Sequence, residues 1–128
     1  MPVFTVQTVS ADGTMSSFTT DWLTGETVIE FFHTTCPDCR RDLPLLNQYY
    51  LEHKGQGGFQ MVAISRAEGR ESIEAFWRTG GLSIPYSPQT DRTIYNLFAS
   101  SIIPRIYFCD SRGVISRIDV EKFSNTSN

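Results

Sequence analysis

The sequence lacks what would mark a membrane span, a secretion signal or a metal centre. No segment approaches the roughly 18 apolar residues of a membrane-crossing helix. Met1-Pro-Val-Phe-Thr-Val offers no charged stretch followed by an apolar core, so no signal peptide is legible, and the chain reads as intracellular or as already processed or trimmed. Only three cysteines occur among 128 residues. With no second C-x-x-C and no H-x-x-x-H, a four-ligand zinc site has too few donors, and no metal is expected. Covalent haem attachment wants C-x-x-C-H, but Arg40 follows Cys39. A basic excess is missing as well: the net charge is -3, the pI is about 5.3, and the two signs are interspersed, so no nucleic-acid partner is expected. There is no internal repeat, and the only biased stretch is a polar tail. The length, with 40% hydrophobic and 12% aromatic residues, fits one globular domain spanning 1–128 with an adequate core.

What is present is concentrated in one stretch, Val28-Ile-Glu-Phe-Phe-His-Thr-Thr-Cys-Pro-Asp-Cys-Arg-Arg-Asp-Leu-Pro44. An apolar run from Val28 to Phe32, interrupted by Glu30 alone, reads as a buried strand. Cys39, Leu43, Leu46 and Tyr50 then recur at helical spacing and share one face. Cys36 falls where that helix starts, with Pro37 at its first position, where the missing N–H has no helical partner to lose. The free N–H groups of a helix start favour a thiolate, the reactive form of a thiol. Cys39, on the apolar face, is expected to be the more buried sulfur. The pattern assigns attack on a disulfide to Cys36 and displacement of the substrate thiol to Cys39. A purely structural disulfide is the bland alternative. The strand-to-helix junction favours redox chemistry.

The rest of the chain alternates strands and helices. Phe4, Val6 and Val9 predict a strand, Asp12-Gly13 a turn, and Met15 to Phe18 a short return strand. Thr20 to Leu23 reads as a helical turn ended by Gly25, with Trp22 as a core anchor. The central strand and a long helix to about Lys54 follow, with Pro44 expected to kink that helix. Phe59 to Ser65 suits a buried parallel strand. Ile73, Phe76 and Trp77 mark a helix ended by Gly80-Gly81. Ile84 to Ser87 is a brief extended piece, and Ile94, Leu97 and Phe98 predict a short helix from about Asp91. Arg105 to Cys109 and Val114 to Ile118 form a hairpin about Asp110-Ser-Arg-Gly113. Asn125 to Asn128 is expected to be disordered. The whole reads as an α/β sandwich with a central mixed sheet flanked by helices.

These residues resemble the thioredoxin superfamily over most of the chain. The features that carry the resemblance are Glu30 six residues before Cys36, Cys36-Pro-Asp-Cys39, Pro44 five residues after Cys39, and Ile103-Pro104 before the hairpin. The N-terminal strand extension, the insert Gly69 to Ser83 and the stretch Ser101 to Ile118 are similar to the TlpA/ResA-like thiol–disulfide oxidoreductases. The resemblance implies a cis bond before Pro104, facing the cysteine pair. Substrate contacts are expected at Pro37, Ile103 and Pro104. No cofactor is implied beyond a redox-active Cys36–Cys39 disulfide. The implied partners are protein disulfides and a dithiol electron donor, and the implied location is the periplasm or cell envelope, with the cytoplasm as the alternative. Departures from the pattern are Thr35 in place of a tryptophan, His33 near the usual place of a small residue, and Arg105 in place of a threonine. They bear on substrate choice and redox potential.

Glu30 is the one charge in an apolar strand, and burial raises a carboxyl pKa. The resemblance implies that it accepts the Cys39 proton; otherwise it reaches solvent at a strand edge. His33 either tunes Cys36 or is a surface residue at a strand end. His53 reads as a partner of the helix dipole and Cys109 as core packing. Asp38 opposes a thiolate at Cys36, while Arg40 and Arg41 favour one. Two rivals share the fold: a thiol peroxidase, which would carry a threonine where His33 stands, and a redox-inactive binding domain. The C-terminus looks shortened. Asp119 to Asn128 allows one helical turn, so the sheet face normally covered by a C-terminal helix needs another cover. The helix with Ile73, Phe76 and Trp77, or a second subunit in a weak homodimer, is expected to supply it.

Overall fold

The computed structural model describes residues 1–124, and the stretch 125–128 expected to be disordered lies outside them. Its frame is β3 (Thr27–Phe32), whose six residues are all buried. β3 pairs in parallel with β4 (Gln60–Ser65) and antiparallel with β6 (Arg105–Cys109), so Glu30 stands between Ala63 and Ile106. β1 (Thr5–Val9), β2 (Met15–Thr19), β5 (Tyr86–Ser87) and β7 (Ile115–Val120) complete a mixed sheet in the order β2-β1-β5-β4-β3-β6-β7. Side chains of a strand alternate between faces. Val28, Phe32, Ile106 and Phe108 therefore meet Cys39, Leu43 and Leu46 of α1 (Pro37–His53), and Ile73 and Trp77 of α2 (Arg70–Gly80). Glu30, in phase with Val28 and Phe32, enters the same layer.

The opposite face carries Ile29, Phe31, Val62, Ile64 and Tyr107, and no α-helix among the described residues covers it. Aromatic rings do so instead. Phe31 lies 5.5 Å from Tyr95 and 5.0 Å from Phe98, Phe98 lies 4.8 Å from Tyr107, and Phe4 lies 5.7 Å from Phe98. Each such side chain taken fully out of water stabilises the fold by about 1.5–3 kcal/mol.

The sandwich, the strand extension and the long helix follow the expectation; four local readings do not. Trp22 is not a core anchor but 75% exposed, and Thr20 to Leu23 forms turns and bends, with Leu23 giving the apolar contact instead. The helix expected from Asp91 is only a single 3-10 turn, Tyr95–Leu97. Tyr95 is its buried residue, because its hydroxyl reaches the Ile102 carbonyl at 2.8 Å while its ring meets Phe31. Among the described residues after β7, 121–124, there is no helical turn. β7 runs on to Val120, and Phe123 folds back against Tyr49 and Phe108 and is only 2% exposed. Phe76 is only partly buried beside Ile73 and Trp77. Phe123 packs on the α1 face near β6 and the aromatic layer covers much of the other face, while Ile118 and Val120, register partners of Tyr107 and Arg105, stay exposed along the β7 edge.

Candidate active site

The link from β3 to α1 is four residues long, His33 to Cys36, and it sets Cys36 at the helix N-cap with an extended backbone. The Cys36 N–H donates to the His33 carbonyl at 3.1 Å, which turns the chain. The Cys39 N–H donates to Cys36 Sγ at 3.2 Å, so the sulfur takes the place of the oxygen that usually caps a helix. Cys36 is half-buried with Pro37 exposed beside it, whereas Cys39 is 0% exposed. Burial, the contact with Cys36 and the neighbouring charges of Glu30 and Cys36 push the Cys39 thiol far up from its ordinary value. Pro44 lies on the exposed side of α1.

Across from the cysteines, the Ile103–Pro104 bond is cis and the Cys36 thiol faces the Ile103 carbonyl at 3.8 Å. Ile102 before it has φ +76°, uncommon for a β-branched residue, and its side chain is 42% exposed at the rim. The loop is held from below: the Tyr95 hydroxyl and Arg105 Nε both donate to the Ile102 carbonyl, at 2.8 and 3.0 Å. Pro104 itself is buried and Ile103 partly so. The sequence-selected residues Pro37, Ile103 and Pro104 thus come together around Cys36.

Glu30 does not reach solvent at an edge. It is 0% exposed, and neither carboxyl oxygen has a hydrogen-bond partner among the described residues. Burial, then the charges of Asp42 and Cys36, hold its carboxyl protonated well above the usual carboxylate range. Asp42 is a site residue that sequence reading missed. It is 0% exposed, Arg41 Nε donates to its Oδ1 at 2.9 Å, and the Phe123 N–H donates to its Oδ2 at 2.7 Å. The available signal was its position three residues after Cys39 on the apolar face of α1, hidden inside what looked like a solvated run, Arg40-Arg41-Asp42. Asp38 is drawn away from Cys36 by Arg41 at 3.0 Å.

Glu68 was also missed, and no sequence signal marked it. It is buried and accepts from the Thr34 N–H at 2.8 Å, from the Thr34 hydroxyl and from Ser72 Oγ at 2.7 Å, fixing the loop before Cys36. His33 Nδ1 accepts from the Thr35 N–H at 3.1 Å and lies 3.6 Å from Glu68 Oε1. The His33 ring is therefore engaged by Thr35 and Glu68, and its link to Cys36 runs through the backbone. His53 Nδ1 lies 2.8 Å from the Tyr49 carbonyl, and Cys109 is buried with its sulfur 3.4 Å from Met1 Sδ.

The sequence profile described as the AhpC/TSA family matches residues 1–118. The chain belongs to the AhpC/TSA family. Within that thioredoxin-fold family it is similar to the thiol-disulfide oxidoreductase ResA of Geobacillus kaustophilus, 27% identical over 90 residues, which is 70% of this chain and 51% of the relative. The chain spans about half the length of the curated relatives it matches first. Its fold is that of a solved structure described as a putative protein disulfide isomerase from Bacteroides thetaiotaomicron. The TM-score is 0.84 at 23% identity, with 96% of this chain and 77% of the other covered. The crystal structure of StoA from Bacillus subtilis matches with a TM-score of 0.76 at 16% identity, over 94% of this chain and 90% of the other. Against this background, the AhpC/TSA chain sets one accessible sulfur at a helix start over a buried sulfur and a buried acid, an arrangement able to form a mixed disulfide and then resolve it.

Proposed function

We propose that this chain is a thiol–disulfide oxidoreductase that reduces protein disulfides through Cys36 and Cys39. The observation that carries the reading is the asymmetry of the pair: Cys36 is accessible and capped by the Cys39 N–H at 3.2 Å, while Cys39 is fully buried in the layer that holds the unpartnered Glu30. In the proposed cycle the Cys36 thiolate attacks one sulfur of a substrate disulfide. A Cys36–substrate bond forms, and the other substrate sulfur leaves as a thiolate that takes up a proton. Cys39 gives its proton to Glu30, which must first have lost its own, and attacks Cys36 Sγ. The Cys36–Cys39 disulfide forms and the second substrate thiol departs. Two electrons have passed from the dithiol to the substrate, and an external dithiol restores the pair. The electrons are carried by the two sulfurs, so the cycle calls on no cofactor. Pro37, Ile103 and Pro104 frame the approach to Cys36 and serve as the substrate contacts. By resemblance we place the exchange in the periplasm or cell envelope.

The test is reduction of insulin by a dithiol in the presence of the chain, with a Cys39→Ser variant to trap the mixed disulfide on Cys36. Acceleration by wild type and a trapped adduct on Cys36 are expected. Consumption of peroxide without disulfide exchange would replace this reading with the peroxidase one, and no exchange with either substrate would leave a binding domain.

A further inference from the structure

Among the described residues six ion pairs tie up Arg41, Arg70, Arg78, Arg112 and Arg117, along with a His33–Glu68 contact. Among the described residues Arg40, Arg66, Arg92 and Arg105 have no carboxylate partner. These four are far apart in sequence, yet the topology gathers them. β3 and β4 run parallel and end on the same edge of the sheet, where antiparallel β6 begins and α1 starts. Arg40 lies in the first turn of α1, Arg66 directly follows β4, and Arg105 opens β6. Arg92 joins them through Tyr95: the guanidinium groups of Arg66 and Arg92 lie 5.0 and 5.2 Å from its ring centre. The same tyrosine and Arg105 hold the Ile102 carbonyl, one residue from the Ile103 carbonyl that faces the Cys36 thiol.

In a chain with a net charge of -3, four like charges with no carboxylate partner on one end of the sheet repel one another. They are also held in place. Arg40 stacks on Phe76 at 5.3 Å, Arg66 and Arg92 on Tyr95, and Arg105 Nε donates to the Ser101 and Ile102 carbonyls at 3.0 Å. Stacking fixes the side chain and leaves the N–H fork free at Arg40 and Arg66, whose guanidinium groups make no hydrogen bond within the described residues, whereas Arg92 Nη2 donates to the Ser100 carbonyl at 2.6 Å. A fixed, unoccupied fork matches a carboxylate in two-point fashion at little entropic cost. The carboxylates nearby are already committed: Asp38 to Arg41, and Asp91 Oδ1 to the Thr93 N–H.

We propose that this arginine rim around Cys36 is a docking surface for an acidic polypeptide segment lying beside the substrate's disulfide. The inference rests on the oxidoreductase reading above and names its substrate class. A protein partner is favoured over an anionic membrane because the rim lies at the end of the sheet that carries Cys36, and only a polypeptide brings a disulfide there. Charges so placed act chiefly on the rate of encounter.

The experiment uses three synthetic peptides, each with one internal disulfide and alike except for flanking glutamates, serines or lysines. Fully reduced chain is mixed with each, and the second-order rate of disulfide consumption is read in single turnover. The glutamate peptide is expected to react about tenfold or more faster than the lysine peptide. Salt at about 0.5 M, which shortens the screening length to a few ångströms, is expected to shrink the ratio. In the Arg66→Gln/Arg92→Gln double variant the ratio falls toward one, and the Arg66→Lys/Arg92→Lys variant, which keeps the charge, restores most of it. Circular dichroism confirms that both variants fold. Equal rates on all three peptides, or an unchanged ratio in the glutamine variant, would overturn the proposal. So would equal rates together with co-sedimentation on phosphatidylglycerol vesicles, which would assign the rim to a membrane surface. If no peptide is consumed, the oxidoreductase reading fails instead. The rim is then judged by fluorescence polarisation with cysteine-free glutamate and lysine peptides: tighter binding of the glutamate peptide supports it, and equal binding overturns it too.

Discussion

Replacing Glu30 with glutamine removes an ionisable group from the middle of the sheet with almost no change of shape. Burial, with help from the Asp42 and Cys36 charges, raises the Glu30 carboxyl well above its ordinary value of 4.5. Because the folded value is the raised one, the folded chain keeps a proton that the unfolded chain has already released. The window opens near 4.5 and closes at the folded value. Below the window the Glu30 contribution to stability is fully present; it is lost as pH rises through it. Over that window the slope contributed by Glu30 reaches about 1.4 kcal/mol per pH unit. Wild type should therefore lose stability relative to Glu30→Gln as the buffer is taken upward from about pH 5. Urea unfolding of the two proteins at a series of pH values measures the difference directly, and changes common to both cancel. The kinetic arm uses the same pair. A positioned base contributes about 10²–10⁴-fold, so resolution of a Cys36 mixed disulfide should slow by at least about 100-fold while the initial attack changes far less. Stopped-flow mixing with acid quenching separates the two steps. Parallel stability curves together with an unchanged second step would refute the argument that Glu30 is a buried acid serving Cys39.

Iodoacetamide should label reduced Cys36 first, with Cys39 and Cys109 slower by about 100-fold or more, because both are buried and burial pushes the Cys109 thiol up to about 11; equal labelling of Cys36 and Cys39 would contradict the assigned roles. Phe123→Ala should cost about 3 kcal/mol in urea unfolding, since it empties a site between Tyr49 and Phe108. A loss under about 1 kcal/mol would mean that the segment after β7 contributes little to the fold. Gly58→Ala should cost at least about 2 kcal/mol, because φ is +80° and a Cβ there would sit 2.2 Å from the Thr24 carbonyl oxygen. An unchanged midpoint would show that the Thr24–Gly58 contact yields easily.

What the sequence determined by itself was what local chemistry fixes. The run Val28 to Phe32 has one way to be satisfied, burial on both faces, and its alternation alone places Glu30 with Val28 and Phe32. Pro37 and the spacing of Cys39, Leu43 and Leu46 define the start and inner face of α1. The cysteine pair and the burial of Glu30 were legible for that reason, and the role of the loop at Pro104 only through the resemblance to the thioredoxin superfamily. Trp22 misled because an aromatic residue in a short chain reads as core, whereas the turn it sits on points it to solvent and gives the packing role to Leu23.

Only the tertiary structure decided the partners of polar groups. Asp42 and Glu68 are chemically unremarkable in sequence. They become buried acids because Phe123, 81 residues away, donates to one and Thr34, 34 residues away, donates to the other. The gathering of Arg40, Arg66, Arg92 and Arg105 has the same origin. Arg40, Arg66 and Arg105 lie at the ends of three different elements and Arg92 in the loop before Tyr95, and nothing in the linear order shows that parallel β3 and β4 finish where β6 begins. Hydrophobic periodicity is a property of neighbours in sequence, so it can be read from them. Hydrogen-bond and charge partners are chosen by strand order and crossover, and these emerge only when the sheet closes its core.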